Sequence, residues 1–262
     1  FRMDARALTR AVAADRAAGN RPVAVVATAG TTSTTSVDPL RDVAAVCTRE
    51  DLWLHVDAAY AGSAAICPEH RAALDGLELA DTIVVNPHKW LFTPIDCSVL
   101  LAREPEALRA AFRLVPEYLR TEEAHVTNLM DYGVQLGRRF RALKLWMVIR
   151  AFGVEGLRAR IREHCALARS FAERVRREPG FELCAPVPFS TVCFRAVGGG
   201  PDEEDHRNER LLDEVNRAGP VFLSHTRLRG RFVLRLAVGN IRTTAADVTR
   251  AWELIREAAT RL

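Results

Sequence analysis

The sequence predicts an α/β fold in which a mainly parallel sheet is followed by a smaller α+β domain. Over the first hundred residues, short apolar runs typical of buried strands alternate with helical stretches. Beyond this region the pattern changes to a long helix and then to a mixture of strands and helices. We therefore predict part of a large sheet domain over residues 1–143 and a small C-terminal domain over residues 144–262.

The first element is a helix over residues 4–18 that stops at Gly19, and the next is an apolar strand buried on both faces. Asp38 is predicted to cap a helix that has Pro39 in its first turn and runs to about residue 49. A short helical turn is expected at 69–74. The predicted strands of the large domain cover residues 22–28, 52–56, 82–85 and 97–102.

A long helix is expected from Gly137 to about Arg177, with a break marked by Gly153 and Gly156. Its apolar stripe comprises Leu143, Leu145, Trp146, Ile149, Leu157, Ile161 and Ala168. Two further helices are predicted at 203–218 and from Thr244 to the C-terminus. The strands of the small domain are predicted at 181–187, 191–197, 221–225 and 231–238.

Composition excludes several classes of protein. The chain has 262 residues, of which 48% are hydrophobic and 27% charged, which excludes a disordered or collagen-like chain. The net charge is only +4, and the sequence contains no block of like charges, so no nucleic-acid partner is expected. No apolar run is long enough to span a bilayer. Six cysteines without a C-x-x-C pair indicate reduced thiols, a cytoplasmic setting and no metal site.

Lysine is rare in this chain. Of its 37 basic residues only Lys89 and Lys144 are lysines, and the others are arginines. Arginine serves wherever only a positive charge is needed, but it stays protonated and offers no amine lone pair. A lysine can lose its proton and form a Schiff base, so each remaining lysine is a candidate for chemistry.

Polar residues follow the ends of three predicted strands, where ligands bind in open α/β sheets. They are Thr32, Asp57, Asn86, His88 and Lys89. An acid and an amine at adjacent strand ends match the needs of pyridoxal phosphate: the amine forms the internal aldimine, and the carboxylate keeps the pyridine nitrogen protonated. Two alternatives remain open, since Asp57 could cap a helix or pair with an arginine and Lys89 could reach the surface.

Several motifs resemble the group II pyridoxal-phosphate decarboxylases, and in particular the aromatic-L-amino-acid decarboxylase family. They are V-A-T-A-G-T-T from Val26, H-V-D-A-A-Y-A-G from His55, N-P-H-K-W from Asn86, G-R-R-F-R-A-L-K from Gly137 and F-V-L-R from Phe232. The resemblance implies the aspartate-aminotransferase fold (fold type I), a homodimer, pyridoxal 5'-phosphate as cofactor and decarboxylation of an amino-acid substrate. Gly137 favours an aromatic substrate, because histidine decarboxylases have a serine there.

The same resemblance assigns roles to the candidate residues. Lys89 would carry the cofactor, Asp57 would hold the pyridine nitrogen, Thr32 would border the ring, and Asn86 would help to hold the phosphate. His88 would lie near the phosphate and act beside Lys89, with a hydrogen-bonded core histidine as the alternative. Tyr118 would lie in a mobile catalytic loop and protonate the carbanionic carbon, with an ordinary surface tyrosine as the alternative.

The family's chain is longer on its N-terminal side, where it carries a dimerisation segment, most of the phosphate cradle, the histidine stacked on the cofactor ring and much of the substrate pocket. Because Phe1 is not an initiator methionine, we expect this chain to be the C-terminal part of a decarboxylase. Three alternatives stay open: an aromatic aldehyde synthase, in which a phenylalanine replaces the residue at Tyr118; another fold-type-I enzyme; or an isolated chain that is inactive.

Overall fold

The first of two sheets positions the candidate residues. The computed structural model describes residues 1–113 and 126–262. The four strands of this sheet stand in the order β1-β2-β3-β4, with β1, β2 and β3 parallel and β4 antiparallel to β3. The predicted crossover pattern therefore holds for three strands, and β4 differs because only a four-residue helix lies between it and β3. The strands are β1 (Ala24–Thr28), β2 (Trp53–Asp57), β3 (Thr82–Val85) and β4 (Val99–Ala102).

Helices in this part of the chain are short, and α4 was not predicted from the sequence. The carboxylate of Asp4 caps α1 by accepting hydrogen bonds from the amides of Arg6 and Ala7. The helices are α1 (Ala5–Ala17), α2 (Leu40–Glu50), α3 (Pro87–Trp90) and α4 (Pro105–Phe112), and 3-10 helices cover Ala61–Ile66, Pro68–Leu74, Leu77–Leu79 and Leu129–Tyr132.

The prediction that Asp38 caps α2 is wrong. Pro39 occupies the cap position and makes no side-chain cap hydrogen bond. The buried carboxylate of Asp38 instead accepts hydrogen bonds from the amides of Met3 at 2.7 Å and Thr28 at 2.8 Å. The amide of Met3 precedes α1 and that of Thr28 lies in the edge strand β1, and a charged carboxylate is a strong acceptor for both.

The prediction that β1 is buried on both faces is also wrong for the described structure. Val25 and Ala27 are buried, whereas Val26 on the opposite face is 59% exposed. Leu100 of β4 lies on the same open face and is 47% exposed. In the parts of the chain that the structure describes, helices cover one face of the sheet only, and the core on that face includes Val43, Val56 and Trp90.

The long helix α5 (Arg141–Arg177) is broken where the sequence predicts a break. Gly153 has a φ of 63° and a ψ of 172°, which divides α5 into two helices. After the break, Leu157 and Ile161 are buried as expected, but before it Trp146 is 57% exposed, with Leu143 and Ile149 also exposed. The first part of the predicted apolar stripe therefore has no cover among the described residues. The domain boundary at residue 143 stays a prediction.

The second sheet is antiparallel and has the order β5-β6-β8-β7. Helices α5, α6 and α7 pack on one face of it around a core that includes Phe171, Phe194 and Trp252. β7 begins three residues later than predicted. These elements are β5 (Phe181–Leu183), β6 (Thr191–Ala196), α6 (Pro201–Arg217), β7 (Ser224–Leu228), β8 (Arg231–Ala237) and α7 (Ala245–Ala259).

None of the helices within residues 1–113 and 126–262 combines the length and the apolar character that a membrane span needs. All six cysteines are free thiols and five of them are buried, as expected from their spacing.

Candidate active site

A threonine-rich turn, which we call the threonine loop (residues 30–36), follows β1. The hydroxyl of Thr31 lies 3.1 Å from that of Thr34 and accepts a hydrogen bond from the amide of Ser36 at 3.1 Å. The amides of Gly30 and Thr31 both donate to the carbonyl oxygen of Ser36. The loop is therefore closed on itself by its own hydroxyl and amide groups.

Glycine is required at the start of the threonine loop. Gly30 has a φ of 91°, and a Cβ atom there would lie 2.6 Å from the Cβ of Ala61. This close approach seats the loop against the 3-10 helix Ala61–Ile66.

We predict that Gly30→Ala lowers the free energy of unfolding by roughly 3 kcal/mol, because it adds a steric clash to the backbone strain. Gly19→Ala is the matched control, because Gly19 has a φ of 81° with no atom within 4 Å of an added Cβ. It is expected to cost only roughly 1 kcal/mol from strain alone. Urea unfolding of both variants measures the difference, and equal losses would show that the contact with Ala61 is loose.

Asp57 is the last residue of β2 and pairs in register with Thr28 of β1 and Val84 of β3. Its Oδ1 atom accepts a hydrogen bond from the amide of Ala59 at 3.0 Å. Within the described residues, Oδ2 has no hydrogen-bond partner and the carboxylate has no salt bridge. The carboxylate is therefore oriented by the backbone and retains a free oxygen.

Lys89 lies in α3, the single helical turn that follows β3. Asn86 begins this turn, and the amide of Lys89 donates to its carbonyl oxygen. The amide of Asn86 donates to the carbonyl oxygen of Ala59, which joins the residues after β3 to those after β2. Lys89 is exposed, and among residues 1–113 and 126–262 its amine has no hydrogen bond or ion pair.

A cavity of about 180 Å³ brings three of the predicted site residues together, namely Thr32, Asp57 and Lys89. It lies between the two sheets, because residues of β6 and β8 complete its wall. The full lining comprises Thr28, Gly30, Thr31, Thr32, Thr35, Asp57, Ala59, Tyr60, Lys89, Thr191, Arg235 and Ala237.

The other predicted residues do not line this cavity. The Oδ1 atom of Asn86 accepts a hydrogen bond from Ser98 Oγ at 2.6 Å. Nδ1 of His88 lies 2.7 Å from the carbonyl oxygen and 3.1 Å from the amide nitrogen of Cys97, the contact expected of a hydrogen-bonded core histidine. The roles of Asn86 and His88 at the phosphate stay predictions, and Tyr118 lies outside the described residues.

Of the nine cavity residues that were not predicted from the sequence, three bear most on the chemistry of the site, namely Tyr60, Thr191 and Arg235. The ring of Tyr60 stacks on that of Trp90, with centroids 4.6 Å apart, and its hydroxyl bonds with that of Ser190. Burial raises the pKa of Tyr60 to about 12, so the phenol is neutral at physiological pH. Tyr60 lies in the motif H-V-D-A-A-Y-A-G and Arg235 in the motif F-V-L-R, so both could have been recognised as candidate site residues from the sequence. Thr191 lies in neither motif, and nothing in the sequence marked it as a site residue.

The stack behind Lys89 continues into the core beneath the first sheet. Trp90 is fully buried, and its indole nitrogen donates to Nδ1 of His164 at 3.1 Å. Burial lowers the pKa of His164, which keeps its ring neutral and able to accept this bond. Tyr60, Trp90 and His164 thus form a rigid support beneath the turn that carries Lys89.

The groups around the cavity fit pyridoxal phosphate. That cofactor has an aldehyde, which reacts with a lysine amine, and a pyridine nitrogen, which a carboxylate keeps protonated. The amine of Lys89 and the free oxygen of Asp57 border the same space. No cluster of three or more His, Cys, Asp or Glu side chains suited to a metal occurs in the described part of the chain.

Comparison with known proteins decides the family. A model of the pyridoxal-dependent decarboxylase conserved domain matches residues 1–197, which is most of the chain. The chain belongs to the pyridoxal-dependent decarboxylase family. This match confirms pyridoxal phosphate, the cofactor expected from the sequence.

Two curated relatives show how much of a family member this chain represents. The aromatic-L-amino-acid decarboxylase of Sus scrofa is 46% identical over 265 residues, which covers 100% of this chain and 54% of the relative. The phenylacetaldehyde synthase of Arabidopsis thaliana is 44% identical over 260 residues, which covers 97% of this chain and 53% of the relative. This decarboxylase-family chain therefore spans about half the length of these relatives.

Solved structures confirm the predicted fold type I. The crystal structure of Oryza sativa TDC with PLP and tryptamine matches 99% of this chain and 55% of that chain, with a TM-score of 0.95 and 43% identity. That of Catharanthus roseus tryptophan decarboxylase in complex with L-tryptophan matches 100% of this chain and 54% of that chain, with a TM-score of 0.91 and 39% identity. The chain thus has the backbone arrangement of the matching half of these enzymes.

Proposed function

We propose that this decarboxylase-family chain is the C-terminal part of a longer protein, here called the intact enzyme. The intact enzyme converts an aromatic L-amino acid into the corresponding amine and carbon dioxide with pyridoxal phosphate. The observation that carries this proposal is the single cavity bordered by both Lys89 and Asp57. The similarity to aromatic-L-amino-acid decarboxylase and to tryptophan decarboxylase supports the substrate class.

Each cavity residue has a role in this proposal. Pyridoxal phosphate, when bound, supplies a conjugated ring that accepts the electron pair left by departing carbon dioxide. Lys89 would hold the cofactor through Nζ, as the lysine whose amine borders the cavity. Asp57 holds a proton at the ring nitrogen, where its negative charge stabilises the positive charge. Thr32 borders the ring, and Asn86 and His88 support the phosphate.

Tyr118 is proposed to donate its phenolic proton to the α-carbon after carbon dioxide leaves. This step separates decarboxylation from the aldehyde synthase reaction, in which the amino acid, oxygen and water give aldehyde, carbon dioxide, ammonia and hydrogen peroxide. The second reaction is the alternative function, because the Arabidopsis thaliana phenylacetaldehyde synthase is 44% identical to this chain.

Product analysis of the intact enzyme tests the function directly. With L-tryptophan, L-tyrosine and their hydroxylated forms, we expect one amine for each carbon dioxide released and no peroxide. Aldehyde and peroxide in equal amounts would establish the alternative instead. If no aromatic amino acid is turned over, the intact enzyme would instead catalyse another of the reactions known for fold-type-I enzymes.

We predict that Tyr118→Phe lowers the rate of amine formation about 100-fold, because the general acid is lost. Oxygen uptake, aldehyde and peroxide should appear in its place. Tyr132→Phe is the control: Tyr132 is half-buried at the end of a 3-10 helix and does not line the cavity. If Tyr118→Phe forms the amine as fast as the unmodified enzyme does, Tyr118 has no part in the mechanism.

The open face of the first sheet supports the proposal of a longer intact enzyme. Parallel sheets are normally covered on both faces, and here the exposed side chains of Val26 and Leu100 have no cover within the described residues. We propose that the rest of the intact enzyme covers this face. The intact enzyme is further proposed to be a cytoplasmic homodimer, which sedimentation analysis and cell fractionation would check.

We predict that the isolated 262-residue chain binds pyridoxal phosphate weakly or without specificity, because most of the phosphate cradle lies in the other half of the family's chain. Titration followed by the visible absorbance of the cofactor measures this affinity, with Lys89→Ala as the control for binding elsewhere. A tight and Lys89-dependent complex would show that this chain alone holds the whole cofactor site.

A further inference from the structure

Arg235 extends from β8 of the second sheet to the threonine loop of the first. Its Nε atom donates to the carbonyl oxygen of Ser33 at 2.8 Å, and Nη2 donates to that of Thr32 at 2.6 Å. Its third nitrogen, Nη1, donates to Ser224 Oγ at 2.9 Å. All three nitrogens of the guanidinium are therefore used for positioning backbone and side-chain oxygens.

Two more groups of the second sheet bind the same residue of the loop. The thiol of Cys193 on β6 donates to the carbonyl oxygen of Ser33 at 3.2 Å. The hydroxyls of Ser33 and Thr226 on β7 lie 2.9 Å apart. Three strands of the small sheet thus hold Ser33, although their residues lie 160 or more positions away in sequence.

Thr32 depends on this attachment for its position. It is exposed at the rim of the cavity, and its hydroxyl has no hydrogen-bond partner in the described ranges. None of the internal hydrogen bonds of the threonine loop in the described structure involves Thr32. The bond from Arg235 to the carbonyl oxygen of Thr32 is therefore the polar contact that fixes this residue.

The chemistry of the contact favours arginine over lysine. A planar guanidinium can donate to two successive carbonyl oxygens at once, whereas a lysine ammonium acts as a point charge on a flexible stem. Arg235 also has no carboxylate partner within 4 Å among the described residues. The guanidinium of Arg235 therefore forms hydrogen bonds with oxygens around the cavity and no ion pair within the described structure.

We propose that Arg235 is a positioning residue that holds Thr32 against the cofactor, so that correct seating of the small sheet is required for tight cofactor binding. This inference rests on the proposed function, in which Thr32 borders the ring of pyridoxal phosphate. Arg235 acts through the threonine loop, since each of its three side-chain nitrogens already donates a hydrogen bond to a protein oxygen.

The test uses Arg235→Gln and Arg235→Lys in the intact enzyme. Loss of the charge-assisted bonds to the loop should weaken the affinity of the apoenzyme for pyridoxal phosphate by about 10-fold or more in Arg235→Gln. The circular dichroism of the bound cofactor should change in both variants, because it reports how the ring is held. Arg231→Gln is the control, since Arg231 lies on the same strand but pairs with Glu182 at the surface.

Several outcomes decide the inference. If both Arg235 variants bind the cofactor within about twofold of the unmodified affinity and keep its dichroism, the inference is overturned. A lower unfolding midpoint with unchanged cofactor binding and dichroism would likewise assign Arg235 a structural role only. If Arg235→Gln does not fold, Arg235→Lys and Thr226→Val carry the test, and both must weaken binding.

Failure of the proposed function is distinguished by borohydride reduction of the unmodified enzyme. If reduction does not label Lys89 in the unmodified enzyme, the proposed function is wrong, and the inference about Arg235 is wrong as well. If Lys89 is labelled and the Arg235 variants bind as the unmodified enzyme does, only this inference fails.

Discussion

Replacing Lys89 by alanine in the intact enzyme is expected to abolish covalent attachment of pyridoxal phosphate and to lower the rate of decarboxylation on the order of 1,000-fold or more. The physical reason is that, among the described residues bordering the cavity, Lys89 has the only amine that can release its proton, since the other cation there is Arg235. Visible absorbance of the bound cofactor and the rate of carbon dioxide release measure the two effects.

The chain provides a matched control for this prediction. Lys144 is the other lysine of the sequence and lies in the first part of α5, away from the cavity lining. Lys144→Ala should keep the absorbance and the activity of the unmodified enzyme. An unchanged spectrum in Lys89→Ala, or a lost spectrum in Lys144→Ala, would contradict the role of Lys89.

Replacing Asp57 by asparagine should separate cofactor attachment from catalysis. The asparagine keeps an oxygen for the amide of Ala59, so the local structure is retained. It lacks the negative charge that stabilises a protonated ring nitrogen, so we expect decarboxylation to fall about 100- to 1,000-fold while Lys89 still carries the cofactor. Steady-state turnover and borohydride labelling of Lys89 report the two properties separately.

Asp15→Asn serves as the control for the loss of one acidic charge, because Asp15 is exposed on α1. Its activity should equal that of the unmodified enzyme. Full activity in Asp57→Asn would show that the ring nitrogen does not need the carboxylate, and the proposed electrostatic role would then be wrong.

The central part of the site was predictable because its residues follow consecutive strands. Parallel strands place their carboxyl ends at one edge of a sheet, so Asp57 at the end of β2 and Lys89 after β3 had to lie near each other. The rarity of lysine leaves Lys89 and Lys144 as the candidate amines, and of these two Lys89 directly follows a strand. The threonine loop after β1 brought Thr32 to the same edge.

The remaining cavity residues depend on how two sheets pack, which a single sequence does not encode locally. Thr191 and Arg235 come from the second sheet, and Arg235 bonds with a loop some 200 residues earlier in the chain. No periodicity or spacing relates such distant positions, because their contact arises from tertiary packing alone. Tyr60 differs, since its place in a recognisable motif could have indicated a site residue.

The wrong predictions for the fold have local physical causes. The carboxylate of Asp38 accepts hydrogen bonds from the amides of Met3 and Thr28 instead of capping α2, and a sequence pattern does not distinguish these acceptor roles. The apolar run of β1 correctly indicated an element fit for burial on both faces, but the described structure covers only one. Trp146 before the break at Gly153 is exposed for the same reason.

A crystal structure of the intact enzyme with pyridoxal phosphate tests most directly whether Lys89 and Asp57 serve one cofactor. We predict continuous density between Nζ of Lys89 and the cofactor, with a carboxylate oxygen of Asp57 about 3 Å from the ring nitrogen. Cofactor bound to another residue, or a ring nitrogen out of hydrogen-bond reach of Asp57, would contradict this account.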